Sequence, residues 1–359
     1  MGLFFFGLLA ILAITSNAYT PHDPIHINGN SQFTPENGVV AGNGTASDPY
    51  IIEGWDIDAS NAIYGIKIEN TNAYFIIRNC NVHGTSCAAD GIRFHNVTNG
   101  KIENCNIYNN YVGIILEYSS NNNIISNTFT NDGIIIGGNS LEHFNTHTIQ
   151  ANTVNGKPLY YYKNESGIII DNIPVGQLIL ANCTNFTIKN LSINNTNVGI
   201  ELAYSSNNNI TNCNVYNNSW WGIVLLHSSN NNIITNCNVY NNSYHGIYLY
   251  SSSNNNITNC NIYNNSRGIY LYNSSNNLIT NCRIYGVLRD IILNEGDFAE
   301  IYYIGYFENG TVFASSFNTN VSYNTPFDEK NYNLTPLRIY MGNFPEKYPE
   351  GWSYVSLGN

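Results

Sequence analysis

The chain has 359 residues, a formal net charge of −11 and only 10% charged side chains. Nucleic-acid binding is excluded, because it needs clustered Lys and Arg to neutralise phosphates and no basic stripe is present. With 43% hydrophobic residues the chain is not a disordered polar tract, and its length suits one large domain or two ordinary ones.

The first element is an apolar run, GLFFFGLLAILAI at 2–14, followed by the small-residue site Ser16-Asn17-Ala18. It reads as a signal peptide over residues 1–18, with an extracytoplasmic address: secreted or at the cell surface. The run is too short to span a bilayer comfortably, and no later segment could, so no membrane span is expected in the mature chain. A buried strand or helix at a cytosolic N-terminus is the competing reading. Sequons such as Asn96-Val97-Thr98 and Asn209-Ile210-Thr211 agree with an exterior address but arise by chance in an Asn-rich chain.

Residues 19–64 follow as an N-terminal cap and first coil, needed because a solenoid must close its exposed edge. From 65 to 293 one phrase repeats. Its landmark is Gly-Ile-x-Leu or a relative, at Gly199, Gly222, Gly246 and Gly268, with Asp290 in the glycine place of the last copy. The steps are 23, 24, 22 and 22 residues. Each unit carries three short alternating apolar pieces, such as Ile223/Leu225, Ile234 and Val239. Period-two alternation means strand, and strands this short bury a face only by stacking coil on coil. The expectation is an all-β parallel β-helix with three strands per coil. Asn tolerates the left-handed backbone of sharp corners, so SSNNN and YNNS are the corners. A leucine-rich repeat or a propeller fits the pattern less well.

Seven of the eight cysteines follow Asn in this register: Cys80, Cys105, Cys183, Cys213, Cys237, Cys260 and Cys282. Asn127 and Asn152 hold the equivalent place elsewhere, which marks an inward corner. Free stacked thiols are preferred over disulfides between rungs, since parallel side chains keep their Cβ atoms too far apart.

Outward places on the Gly-Ile-x-Leu strand hold Val224, Leu226, Tyr248, Tyr250, Tyr270 and Tyr272, and another column holds Tyr216, Tyr240, Tyr263 and Tyr285. Trp220 and Trp221 lie on a corner beside them. Such aromatics would offer flat faces to a surface glycan or a protein partner. The candidate ligand-binding residues are Tyr248, Tyr250, Tyr270, Tyr272, Trp220 and Trp221. Stacked tyrosines that merely stabilise neighbouring rungs are the alternative.

The capping segment PIHINGNSQFTPENGVVAGNGTASDPYIIEGWDI (25–57), with GIKIENTNAYFIIRNCNV (65–82) and the stretch at 152–206, resembles NosD-like β-helix proteins. That resemblance, over about 25–293, implies a right-handed coil and a place on archaeal cell surfaces. The family's copper association implies a copper-site maturation role as an alternative, for which His143 and His147 are the best-spaced pair. No metal site and no cofactor is expected. A polysaccharide lyase or hydrolase is a further alternative, although carboxylates such as Asp90, Glu103, Glu117, Asp132 and Glu201 do not share a column.

After Leu293 the repeat stops, and residues 294–359 differ. The Glu308-Asn309-Gly310 turn between alternating strands signals a hairpin. The stretch GDFAEIYYIGYFENGTVFASS (296–316), then LTPLRIYMGN (334–343), resembles the N-terminal half of an FKBP-type peptidyl-prolyl isomerase, a partial β-sheet segment. The resemblance implies a pocket lined by Tyr303 and Phe313, with Leu337 where an aromatic is usual and Ala314 in place of the family's Asp. It further implies prolyl-containing polypeptides as partners, a role assisting exported proteins, and a domain that continues past Asn359. The expected whole is thus an extracytoplasmic binding or scaffold β-helix joined to an isomerase segment.

Overall fold

The computed structural model describes residues 19–84, 90–285, 289–292, 298–306, 312–315 and 337–340, those after Ile284 as backbone strands alone. Residues 1–18 lie outside it. Short strands stack in parallel register from coil to coil. In the N-terminal half the long strands Ile25–Asn28, Tyr64–Thr71, Asp90–Val97, Val112–Glu117 and Ile134–Gly137 line up one column, Ile27, Ile68, Phe94, Leu116 and Ile136. In the C-terminal half the equivalent column is Leu180, Leu202, Leu225, Leu249 and Leu271. All ten side chains are buried. Fully burying one contributes roughly 1.5–3 kcal/mol, which no isolated three-residue strand could gather. Ile223, Ile247 and Ile269 are direct register partners, as the repeat requires.

Asparagine makes the corners in two ways. Asn212, Asn236, Asn259 and Asn281, each ahead of a cysteine, have φ of 53°, 54°, 55° and 52°. That is the left-handed region, where Asn is the least strained residue with a side chain. A second set points inward. Asn208, Asn232, Asn255 and Asn277 form a buried amide ladder with Nδ2 to Oδ1 distances of 3.0, 3.2 and 3.2 Å. Each accepting Oδ1 also takes the backbone N–H of the coil before it, so buried donors are satisfied.

The seven cysteines described are free and buried. Cys105 shares its column with Asn127 and Asn152: the Cys105 N–H donates to Asn127 Oδ1 at 3.0 Å, and the Asn127 N–H to Asn152 Oδ1 at 2.9 Å. Asn and Cys therefore alternate at one inward corner.

The stack is not a single rod. Val154 pairs antiparallel with Lys157 across Asn155 (φ 50°) and Gly156 (φ 74°). Positive φ at both central residues is the signature of a type I′ hairpin. The chain reverses there, and the strand Lys157–Lys163 starts a second stack by pairing parallel with Gln177–Ala181. Two β-helical lobes result, before and after the hairpin.

The lobes pack side by side. Outward-facing Ile115 and Ile135 of the first lobe belong to one buried cluster with outward-facing Ile179, Val224 and Leu226 of the second. Asn197 clamps the corners: its Oδ1 accepts the N–H groups of Gly113 (3.1 Å) and Gly133 (2.7 Å), and its Nδ2 donates to Tyr111 O at 2.8 Å. The Gln177 amide likewise accepts from Ile134 N and donates to Ile134 O, at 2.9 and 2.6 Å. Phe144, on the short helix Glu142–Asn145, is buried against Tyr204 and His227. Val224 and Leu226 are outward on their strand, as the alternation says, yet lie under the first lobe rather than on an open face.

At the C-terminal end, Phe298–Tyr306 pairs parallel with Leu278–Tyr285 and antiparallel with Val312–Ser315 and Leu337–Tyr340. The hairpin expected around 308–310 is therefore formed by its two strands. Tyr303, Phe313 and Leu337 sit on these three strands, and the pocket expected of their side chains lies outside the described residues.

Candidate functional site

The two outward columns of each lobe's long strands change character along the stack. In the first lobe they read Lys67, Arg93, Ile115, Ile135 and Glu69, His95, Glu117, Gly137. In the second they read Ile179, Glu201, Val224, Tyr248, Tyr270 and Ala181, Ala203, Leu226, Tyr250, Tyr272. The apolar rungs meet and exclude water. Next to them the charged rungs of the first lobe face the aromatic rungs of the second across a cleft of about 400 Å³, lined by Asp90, Arg93 and Glu117 on one side and by Trp220, Trp221, Tyr248 and Tyr250 on the other. A further chamber of about 640 Å³ shares Asp90, Arg93 and Glu117 and continues to Lys67, Glu69 and His95.

One guanidinium organises the charged wall. Arg93 Nη1 lies 3.0 Å from Asp90 Oδ2, and its Nη2 lies 2.6 Å from Glu117 Oε2. His95 Nδ1 adds a contact of 3.0 Å to the same Glu117 oxygen. Beyond them Glu69 takes Lys67 at 2.7 Å and His26 at 2.8 Å. The two carboxyls on Arg93 are driven apart. Burial pushes Asp90 up against the opposing pull of Arg93. Burial also raises Glu117, but hydrogen bonds from His95 and Arg93, with their charges, outweigh it and hold this carboxyl below its ordinary value.

The aromatic wall differs from the expected one in what it shows. Tyr248 stacks on Tyr270 with centroids 5.3 Å apart and planes 10° from parallel, and Tyr250 on Tyr272 at 5.5 Å and 6°. The outer column Tyr216, Tyr240, Tyr263 stacks at 4.8 and 4.7 Å. Rings stacked along the ladder spend their faces on one another, and Tyr248 and Tyr250 also pack against the core. The flat faces expected of these tyrosines are not on offer along the column. Trp221 is tilted 54° to Tyr248, edge-on to Trp220 and near-parallel to His245 of the next coil at 6.4 Å. Tyr111 comes from the first lobe and meets Trp220 at 5.5 Å.

Four of the six expected residues, Trp220, Trp221, Tyr248 and Tyr250, thus line the cleft, while Tyr270 and Tyr272 extend the same columns outward. Asp90, Arg93, Glu117 and Tyr111 were not among them. Asp90 and Glu117 do occupy different columns, and Arg93 reaches both. The pair considered for copper serves the fold instead. His147 is buried, one ring nitrogen meeting His143 O at 2.9 Å and the other the Asn122 N–H at 3.2 Å, so neither is free for a metal. Among the described residues no three His, Cys, Asp or Glu converge on a metal-sized site.

A sequence model described as a right-handed β-helix region matches residues 22–173 and 176–333. The chain belongs to the right-handed β-helix family. No curated protein matches its sequence. Similar solved structures include the periplasmic alginate epimerase AlgG (15% identity, covering 76% of this chain and 77% of that one, TM-score 0.30). The Dettilon tailspike protein gp208 aligns at 18% identity over 69% and 50%, with a TM-score of 0.31. A hyperthermoactive exopolygalacturonase from Thermotoga maritima aligns at 10% identity over 89% and 83%, with a TM-score of 0.36. Among its described residues this β-helix has no helix long and apolar enough to cross a membrane.

Proposed function

We propose that the chain binds a segment of polysaccharide in the cleft between its two lobes, outside the cytoplasm. The observation that carries this reading is the pairing of walls. A hydrogen-bonding surface of Asp90, Arg93 and Glu117 faces Trp221, Tyr248 and Tyr250 across an open cleft. Sugar rings need both kinds of wall: planar polar groups for their hydroxyls and aromatic carbon for their C–H faces. Trp221, on the cleft lining beside Tyr248, is the residue placed to meet such a face.

Calorimetric titration of the full chain against an oligosaccharide panel tests it. Binding should weaken at least tenfold in Trp221→Ala and Tyr248→Ala, while Tyr240→Ala, on another face, changes nothing. Equal affinity in all four proteins removes the cleft.

A second reading, cleavage of the bound chain, is favoured by the opposite shifts of Asp90 and Glu117 on one guanidinium, the pattern of an acid beside an ionised partner. Release of reducing ends that disappears in Asp90→Asn, with binding kept, supports it. No release from any bound polysaccharide ends it.

A further inference from the structure

We infer that the cleft selects glycans without carboxylates; this rests on the polysaccharide reading above. The ground is how the charges on the first-lobe wall are spent. Arg93 is committed on both arms, to Asp90 at 3.0 Å and Glu117 at 2.6 Å. Lys67 is committed to Glu69 at 2.7 Å. His26 and His95 also turn to Glu69 and Glu117. Three carboxylates thus stand against two permanent cations, and each cation already has its counter-ion.

A uronate carboxylate entering here meets no unpaired cation. It must either displace Asp90 or Glu117 from the guanidinium or lie desolvated beside them, and both are unfavourable. A hydroxyl needs neither step. It shares the remaining lone pairs of the paired carboxylates and the remaining N–H groups of Lys67. The opposite wall carries no charge among Trp220, Trp221, Tyr248 and Tyr250. The nearest cation there, Arg267, lies 4.6 Å over the ring of Tyr270 and is not part of the cleft lining. Stacked tyrosines add rows of phenol hydroxyls, which suit the same class.

Calorimetry on the full chain with three probes decides it: a neutral β-glucan hexasaccharide, a neutral mannan hexasaccharide and an oligogalacturonate. A neutral probe is expected to bind at least about tenfold more tightly than the oligogalacturonate. Its affinity should be the same at low and high salt, because no charge is paired on binding. The double variant Asp90→Asn/Glu117→Gln frees the Arg93 fork and should raise oligogalacturonate affinity at least about tenfold. Wild-type preference for oligogalacturonate, lost in Tyr248→Ala, overturns the class while keeping the cleft. No gain of oligogalacturonate binding in a folded double variant overturns the role given to the committed fork. Failure of every probe, with an unchanged circular dichroism spectrum, overturns both the class and the cleft.

Discussion

Val154 and Lys157 are hydrogen-bonded neighbours running in opposite directions, and everything lateral in this molecule follows from that reversal. Without it, coils on either side would continue one stack, and the outward columns bearing Ile115 and Val224 would point into water. With it, these columns meet, and the rungs beside them become two walls.

The turn itself is open to test. Gly156 has φ of 74°, and a Cβ added there would meet nothing within 4 Å. The cost of Gly156→Ala is therefore backbone strain alone, about 1 kcal/mol. Urea denaturation should show that loss, with small-angle scattering unchanged because the lobe contacts remain.

The buried amide ladder should be far less tolerant. Asn232 Oδ1 accepts from the Asn208 N–H (2.8 Å) and Asn208 Nδ2 (3.0 Å), while its own Nδ2 donates to Ser205 O at 3.0 Å and Asn255 Oδ1 at 3.2 Å. Asn232→Leu leaves those groups buried without partners, at about 1–3 kcal/mol each before relaxation. A net loss of about 3 kcal/mol or more is expected from urea unfolding. Asn207→Ala, whose Asn has φ of 60° on an exposed corner, should lose only about 1 kcal/mol.

Glu201 lies between Ile179 and Val224 in the lobe junction, fully buried, and neither carboxyl oxygen has a hydrogen-bond partner. Burial raises it to about 8, offset only in part by the backbone of Ile136. A carboxyl whose folded value exceeds its unfolded one binds an extra proton when folded, so stability falls as pH rises from about 4.5 to about 8 and then levels. Glu201→Gln should flatten that slope and be more stable by a few kcal/mol above pH 8. Thermal midpoints that run parallel in the two proteins across this range would refute the assignment.

Arg93 joins Asp90 to Glu117, so Arg93→Ala strands two carboxylates, one of them on a largely buried side chain. Arg93 is itself partly exposed and solvent screens the pairs, which limits the loss to about 1–2 kcal/mol at neutral pH. Glu117 is held below its ordinary value, so its share is present above pH 4.5 and fades as acid protonates it. The difference in unfolding free energy between wild type and variant should therefore shrink below about pH 4.

The candidate residues were legible in part. Tyr248 and Tyr250 announce themselves by repeating outward on a strand whose neighbours repeat inward. Asp90 and Glu117 do not, because their separation in register hides a guanidinium long enough to span it. The hairpin did have a signal, Asn155-Gly156 between two strand-like runs, masked by its likeness to the many Asn-rich corners around it. Ring orientation left none: a column of tyrosines reads the same whether its members show faces or edges.

Period-two alternation, the 22–24-residue spacing and the left-handed tolerance of Asn determined the coil, its inward columns and its corners, because each depends on chain neighbours and on one identical coil above and below. What covers an outward column was decided only in three dimensions. Ile115 and Val224 are alike in pattern to solvent-facing residues, and a single reversal of direction at Asn155-Gly156 brings them together and leaves Arg93 opposite Tyr248. That contact joins residues more than a hundred positions apart, between coils whose local patterns carry no record of each other.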